Sequence, residues 1–112
     1  LDHASHVRVA WLLLREHGLV ETPRQLPPML RAYAASKGRA DVYHETITFA
    51  FVCLVHEHLV GADSGATWVE FATNNPELFE SGLLSRFYQK HVLATPRARQ
   101  TFLLPRMMPA RS

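Results

Sequence analysis

The chain has 112 residues, 47% hydrophobic and 20% charged, a balance that suits one globular domain and excludes a disordered chain. The longest uninterrupted apolar run, Phe49 to Val55, is too short to cross a bilayer, which argues against a membrane role. A net charge of +2 with neutral histidines is too weak a basic footprint for nucleic acid. The single cysteine, Cys53, lies inside the apolar run and is expected to be a buried small hydrophobe. With no partner for an intrachain disulfide it fits a reducing compartment, and a cytoplasmic location is expected. No signal-peptide pattern is present, but the chain begins at Leu1 rather than Met, which leaves open what precedes it.

In chain order, Asp2 to His17 reads as a first helix that Gly18 stops. Thr22-Pro23 can open a second, but Pro27 and Pro28 interrupt it, so its continuous part is expected from Pro28 to Lys37, with Gly38 as its end. A third helix is expected from the N-cap Asp41 to about Leu59. After the loop around Asp63-Ser64-Gly65, Thr67 and Glu70 form a capping box opening a short helix, Trp68 to about Thr73, which Asn74-Asn75-Pro76 breaks. Ser81 is expected to cap a segment through Tyr88, and Thr95-Pro96 to open a last helix to Phe102. The residues from Leu103 onward, with two prolines, are expected to be irregular, and the four arginines of the last stretch, Arg97, Arg99, Arg106 and Arg111, read as solvated. No strand with period two appears. The expected fold is all-α: a bundle of about six helices around a central apolar third helix.

On the first helix, Ser5, Arg8, Arg15 and Glu16 share the wet side, while His3, Val7, Ala10 and Leu14 lie opposite, flanked by His6, Leu13 and His17. On the third, Ile47, Phe51, Leu54 and Val55 set the core direction, with His44 and His58 close to it. His3, His6 and His44 therefore converge if those helix ends are adjacent. His3 and His6, three apart, occupy neighbouring helix positions, and a third imidazole would complete a platform for a divalent transition metal: zinc, iron or copper. Glu45 suits a further ligand, an orienting partner or a general base. Tyr43 can place its hydroxyl at the mouth of the same pocket and joins Glu45 as a candidate catalytic residue. Each feature also has a plain explanation: a first-turn glutamate complements the helix dipole, and Thr48 can bond back to the carbonyl four residues earlier. His17, His56 and His58 read as surface or helix-end residues, and Trp11 and Trp68 as core or rim.

These marks, His3-x-x-His6-Val7 with Ala10-Trp11, then Tyr43-His44-Glu45-Thr46-Ile47-Thr48, Trp68-x-Glu70-Phe71 with Asn75-Pro76, and Ala98-Arg99-x-x-Phe102, span most of the chain. Together they resemble an uncharacterised family of short bacterial helical proteins. The resemblance implies no activity. It implies a continuous second helix, from which Pro27-Pro28 departs, and it singles out His3, His6, His44 and Glu45.

The leading expectation is a helical metal-binding protein acting on a small molecule, with His3, His6 and His44 as ligands. The rival expectations are a metal-free interaction module that docks on a larger protein, and a metal-free enzyme that transfers a proton through His44 and Glu45.

Overall fold

The structure is a computed structural model and describes residues 2–106. Arg111 of the expected tail lies outside the described residues. Among them there are five α-helices, three short 3-10 turns and no strand. The helices are α1 (His3–Ser36), α2 (Glu45–Val60), α3 (Trp68–Asn74), α4 (Lys90–Leu93) and α5 (Pro96–Gln100). No helix among the described residues is long and apolar enough to cross a membrane.

Helix α1 opens on Asp2, whose carboxylate accepts the Ser5 N–H at 2.8 Å. Its first arm, residues 3–17, buries Val7, Ala10, Trp11 and Leu14, the spacing of one helix face. Gly18 then leaves the helical region at φ 81 and ψ 179, and the chain re-enters a helix at once. That backbone region is open to glycine and almost closed to other residues. The expected stop is therefore a sharp joint between two helical arms.

The second arm, residues 19–36, corrects the expected interruption. It runs unbroken through Pro23, Pro27 and Pro28, although each ring removes a helical donor. Tertiary burial overrides that cost: Thr22, Leu26, Pro27 and Ala34 are buried along this arm, and Leu26 belongs to the main core cluster. Gly38, at φ 70, turns the chain away after the C-cap Lys37.

Helix α2 lies mainly along α1 and also meets α5. It begins at Glu45 rather than near Asp41, which sits in the 3-10 turn Ala40–Val42. The capping residue is His44, whose ring supplies the acceptor that the cap requires. Val52 and Val55 are fully buried with Phe71 and Leu78 in the core shared with α1 and α3. Cys53, expected to be buried, is exposed. The Thr67–Glu70 capping box forms as expected, and Trp68 packs at a tilt against Trp11, with ring centres 5.4 Å apart. The segment expected to follow Ser81 shrinks to the 3-10 turn Leu83–Arg86, and a short helix, α4, appears where none is expected.

Two substitutions test this joint. A Cβ at Gly18 would meet nothing within 4 Å, so Gly18→Ala isolates the backbone cost. It is expected to lower stability by about 1–3 kcal/mol in chemical denaturation; an unchanged midpoint would show that the joint relaxes freely. Thr22 is fully buried and its hydroxyl has no partner among the described residues. The carbonyl four residues back belongs to Gly18, where the backbone leaves the helix. Thr22→Val replaces the hydroxyl with a methyl and is expected to raise stability by about 1 kcal/mol; a destabilised variant would count against an unsatisfied hydroxyl there.

Candidate functional site

The stretch from Tyr43 to Thr46 is where the sequence concentrates its polar groups. Tyr43 and His44 are extended, so their side chains leave on opposite sides before the helix starts. The outcome is an alternation. Tyr43 and Glu45 face α1, while His44 and Thr46 face the C-terminal segment.

On the α1 side, the Tyr43 hydroxyl donates to Glu45 Oε1 at 2.6 Å, and Arg31 donates to the same oxygen at 3.0 Å. The Arg31 guanidinium also stacks 4.6 Å from the centre of the Tyr43 ring. Burial, and then the hydrogen bond to Glu45, push the Tyr43 phenol well above its ordinary range. It stays protonated across neutral pH and is committed to Glu45. The two expected catalytic residues are therefore bonded to each other, with Arg31 closing the group.

On the other side, His44 is only 7% exposed. Its Nδ1 accepts the Ile47 N–H at 3.1 Å, and its Nε2 lies 2.8 Å from the Leu93 carbonyl. An acceptor at Nδ1 and a donor at Nε2 define a neutral ring with its proton on Nε2. Thr46 is fully buried. Its hydroxyl points between the carbonyls of Ala98 at 2.7 Å and Thr101 at 2.8 Å, and its oxygen accepts the Leu103 N–H at 3.1 Å. Thr48 bonds back to the His44 carbonyl at 2.8 Å, as expected.

The three candidate ligands differ in burial and in partners. His3 lies at the surface, where its Nε2 donates to the Leu78 carbonyl at 2.9 Å and its ring meets Phe51 edge-on at 4.8 Å. His6 is exposed at the mouth of a pocket that His44 also lines. Desolvation, and then nearby positive charge, hold the His6 imidazole below its ordinary value. Among the described residues no three histidine, cysteine or carboxylate side chains are grouped to hold a metal ion. Of the other histidines, His58 is half-buried at the end of α2, with Nδ1 2.8 Å from Asn75 Oδ1, while His17 is exposed beside Glu16.

The pocket itself encloses about 340 Å³ between the second arm of α1 and the start of α2. Ala10, Leu26, Leu30, Ala34, Ile47 and Phe51 make its buried and half-buried wall. The exposed side chains His6, Tyr33, Lys37, Arg39 and Val42 make its rim. A larger hollow of about 680 Å³ lies beside Leu103, Leu104 and Arg106, where the described residues end.

Sequence reasoning missed Arg31, Thr46, Lys37 and Arg39 as parts of this region. The signal for Thr46 was present: a polar pair two apart, His44 and Thr46, ahead of an apolar helix. No signal announced Arg31, because its partner Glu45 is reached only when α1 folds back.

No family model, curated protein or solved structure matches the chain.

Thr46→Val should test the C-terminal half of this arrangement. It keeps the shape and removes the hydroxyl, leaving the Leu103 N–H and two carbonyls short of a partner. The expected loss is about 2 kcal/mol of stability, with faster hydrogen exchange at the Leu103 amide. Wild-type exchange at Leu103 in a stable variant would mean that the segment is held by other contacts.

Proposed function

We propose that the protein is a binding module for a small, largely apolar molecule, and that its working surface is the pocket between α1 and α2. The observation that carries this reading is the commitment of the polar groups around that pocket. His44 uses both nitrogens on the backbone, Tyr43 uses its hydroxyl on Glu45, and Thr48 uses its hydroxyl on the His44 carbonyl. These residues line the pocket, yet their donors are turned into the protein. What remains facing the space away from the rim is mainly hydrocarbon and ring surface, from Ala10, Leu26, Leu30, Ala34, Ile47 and Phe51.

The volume lies at the lower end of the range of small-molecule sites, about 300–1,000 Å³. Tyr33 and Val42 at its mouth are 40% and 47% exposed, which extends the apolar surface outward. Such a space favours burial of an apolar ligand at roughly 25 cal/mol per Å² removed from water, before the cost of immobilising it. A proton-transfer role for His44 and Glu45 finds less support, because neither presents a free atom to the space. The histidines serve the fold and the pocket wall on this reading, with no metal among them.

The test uses the neutral apolar dye 1-N-phenylnaphthylamine, whose fluorescence rises on transfer from water. Saturable enhancement at one dye per chain is expected, with amide shift changes clustered at Leu30, Ala34, Ile47, Thr48 and Phe51. Ala34→Leu, checked for folding by circular dichroism, should abolish it. Shift changes elsewhere, or no saturable binding, would overturn the reading. The same protein, purified without an affinity tag, should show a melting temperature indifferent to EDTA. A fall of several degrees, with stoichiometric metal by elemental analysis, would instead return His3, His6 and His44 to the role of ligands.

A further inference from the structure

The charges around the pocket are one-sided. Its lining includes Lys37 and Arg39 and no carboxylate. No carboxylate among the described residues lies within ion-pairing distance of Lys37, whose ammonium rests 5.6 Å from the centre of the Tyr33 ring. Arg39 has Asp41 at 3.7 Å, but both side chains are well exposed, and such a pair is weak and easily exchanged. Glu45, the nearest acid in sequence to the lining residue His44, is bonded to Tyr43 and Arg31 and is not part of the lining. The pocket therefore couples a hydrocarbon interior to two cations at its rim.

The backbone at this rim adds nothing for an anion. Lys37 is the C-cap of α1, where the helix presents carbonyls and the negative end of its dipole. Attraction for a negative group here depends on the side chains of Lys37 and Arg39. Two cations beside a helix C-terminus complement its dipole, and here both also stand at the mouth of the apolar pocket.

We infer that the pocket takes an anionic amphiphile, a single alkyl chain ending in a carboxylate, with the chain against Leu26, Leu30, Ala34 and Phe51 and the head between Lys37 and Arg39. The inference rests on the small-molecule reading of this pocket and names its ligand class. A polar metabolite fits less well, because Tyr43, His44 and Thr48 have spent their donors within the protein. A cationic amphiphile does not fit the rim.

Displacement of 1-N-phenylnaphthylamine from the full chain tests this, using decanoate, decanol and decyltrimethylammonium, each below its micelle concentration. Decanoate is expected to displace the dye at about tenfold lower concentration than decanol, the range of a charge-assisted hydrogen bond. Decyltrimethylammonium should be the weakest. The double variant Lys37→Gln, Arg39→Gln should remove the advantage of decanoate over decanol. Both positions are exposed, so this variant is expected to fold. Added salt should narrow the gap in the wild type. Equal displacement by decanoate and decanol, or an advantage that survives the double variant, would overturn the anionic head while the apolar pocket stands. Failure of all three to displace bound dye would overturn the alkyl chain as well. Failure of the dye itself to bind would overturn the pocket reading beneath both.

Discussion

The segment from Lys90 to Leu103 is tied to the rest of the protein by two side chains at the start of α2. Helices α4 and α5 have four and five residues, far below the length at which a helix persists alone in water. They hold because His44 donates to the Leu93 carbonyl and Thr46 serves Ala98, Thr101 and Leu103. The Tyr88 hydroxyl adds a bond to the Leu103 carbonyl, Arg99 one to the Asp41 carbonyl, and Phe49 a ring contact with Phe102 at 5.6 Å. A buried hydroxyl with several backbone partners costs little while all are present and a great deal when one is missing. The segment should therefore detach as a unit rather than fray from its end.

That constraint also accounts for the motifs. Tyr43-His44-Glu45-Thr46 and Ala98-Arg99-x-x-Phe102 stand far apart in sequence and interlock in space. Trp68, Glu70 and Phe71 supply a stacking ring, the return arm of a capping box and a buried core residue. Asn75 donates to the Phe71 carbonyl and receives His58. Val7, Ala10 and Trp11 are all buried. Each of these residues thus has a structural contact of its own in the fold.

Much of the fold was legible in the sequence because local chemistry decides it. Gly18 and Gly38 mark positive φ, Thr67 and Glu70 close a capping box, and Thr48 bonds back one turn. Val7, Ala10 and Leu14 share a face by spacing alone. The misreadings arose where a distant element decides. Pro27 reads as a breaker, but its ring is buried and the helix continues around it. Asp41 is a good N-cap by type, yet His44 takes the position because Leu93 waits to receive its other nitrogen. Cys53 sits in the middle of α2, where the helix is apolar almost all round. Periodicity cannot say which side of such a helix is left uncovered.

The histidines show the same limit at the level of single atoms. A helical wheel gives the direction of a side chain, not what its nitrogens will meet. Serine, threonine or aspartate would cap α2 equally well, since each offers an acceptor to the Ile47 N–H. None of them also carries a rigid donor on its far side. Imidazole does, and a neutral ring can bond a helix N–H and a carbonyl from another element at once. The metal reading and this one call for the same residue in the same neutral form, which is why sequence alone could not separate them. They differ in whether a lone pair is left over. At His44 the Nδ1 lone pair is spent on Ile47 and the Nε2 proton on Leu93. The polar atoms of Tyr43, His44 and Thr48 have thus been withdrawn from the pocket these residues line, and the polar side chains that remain stand at its rim.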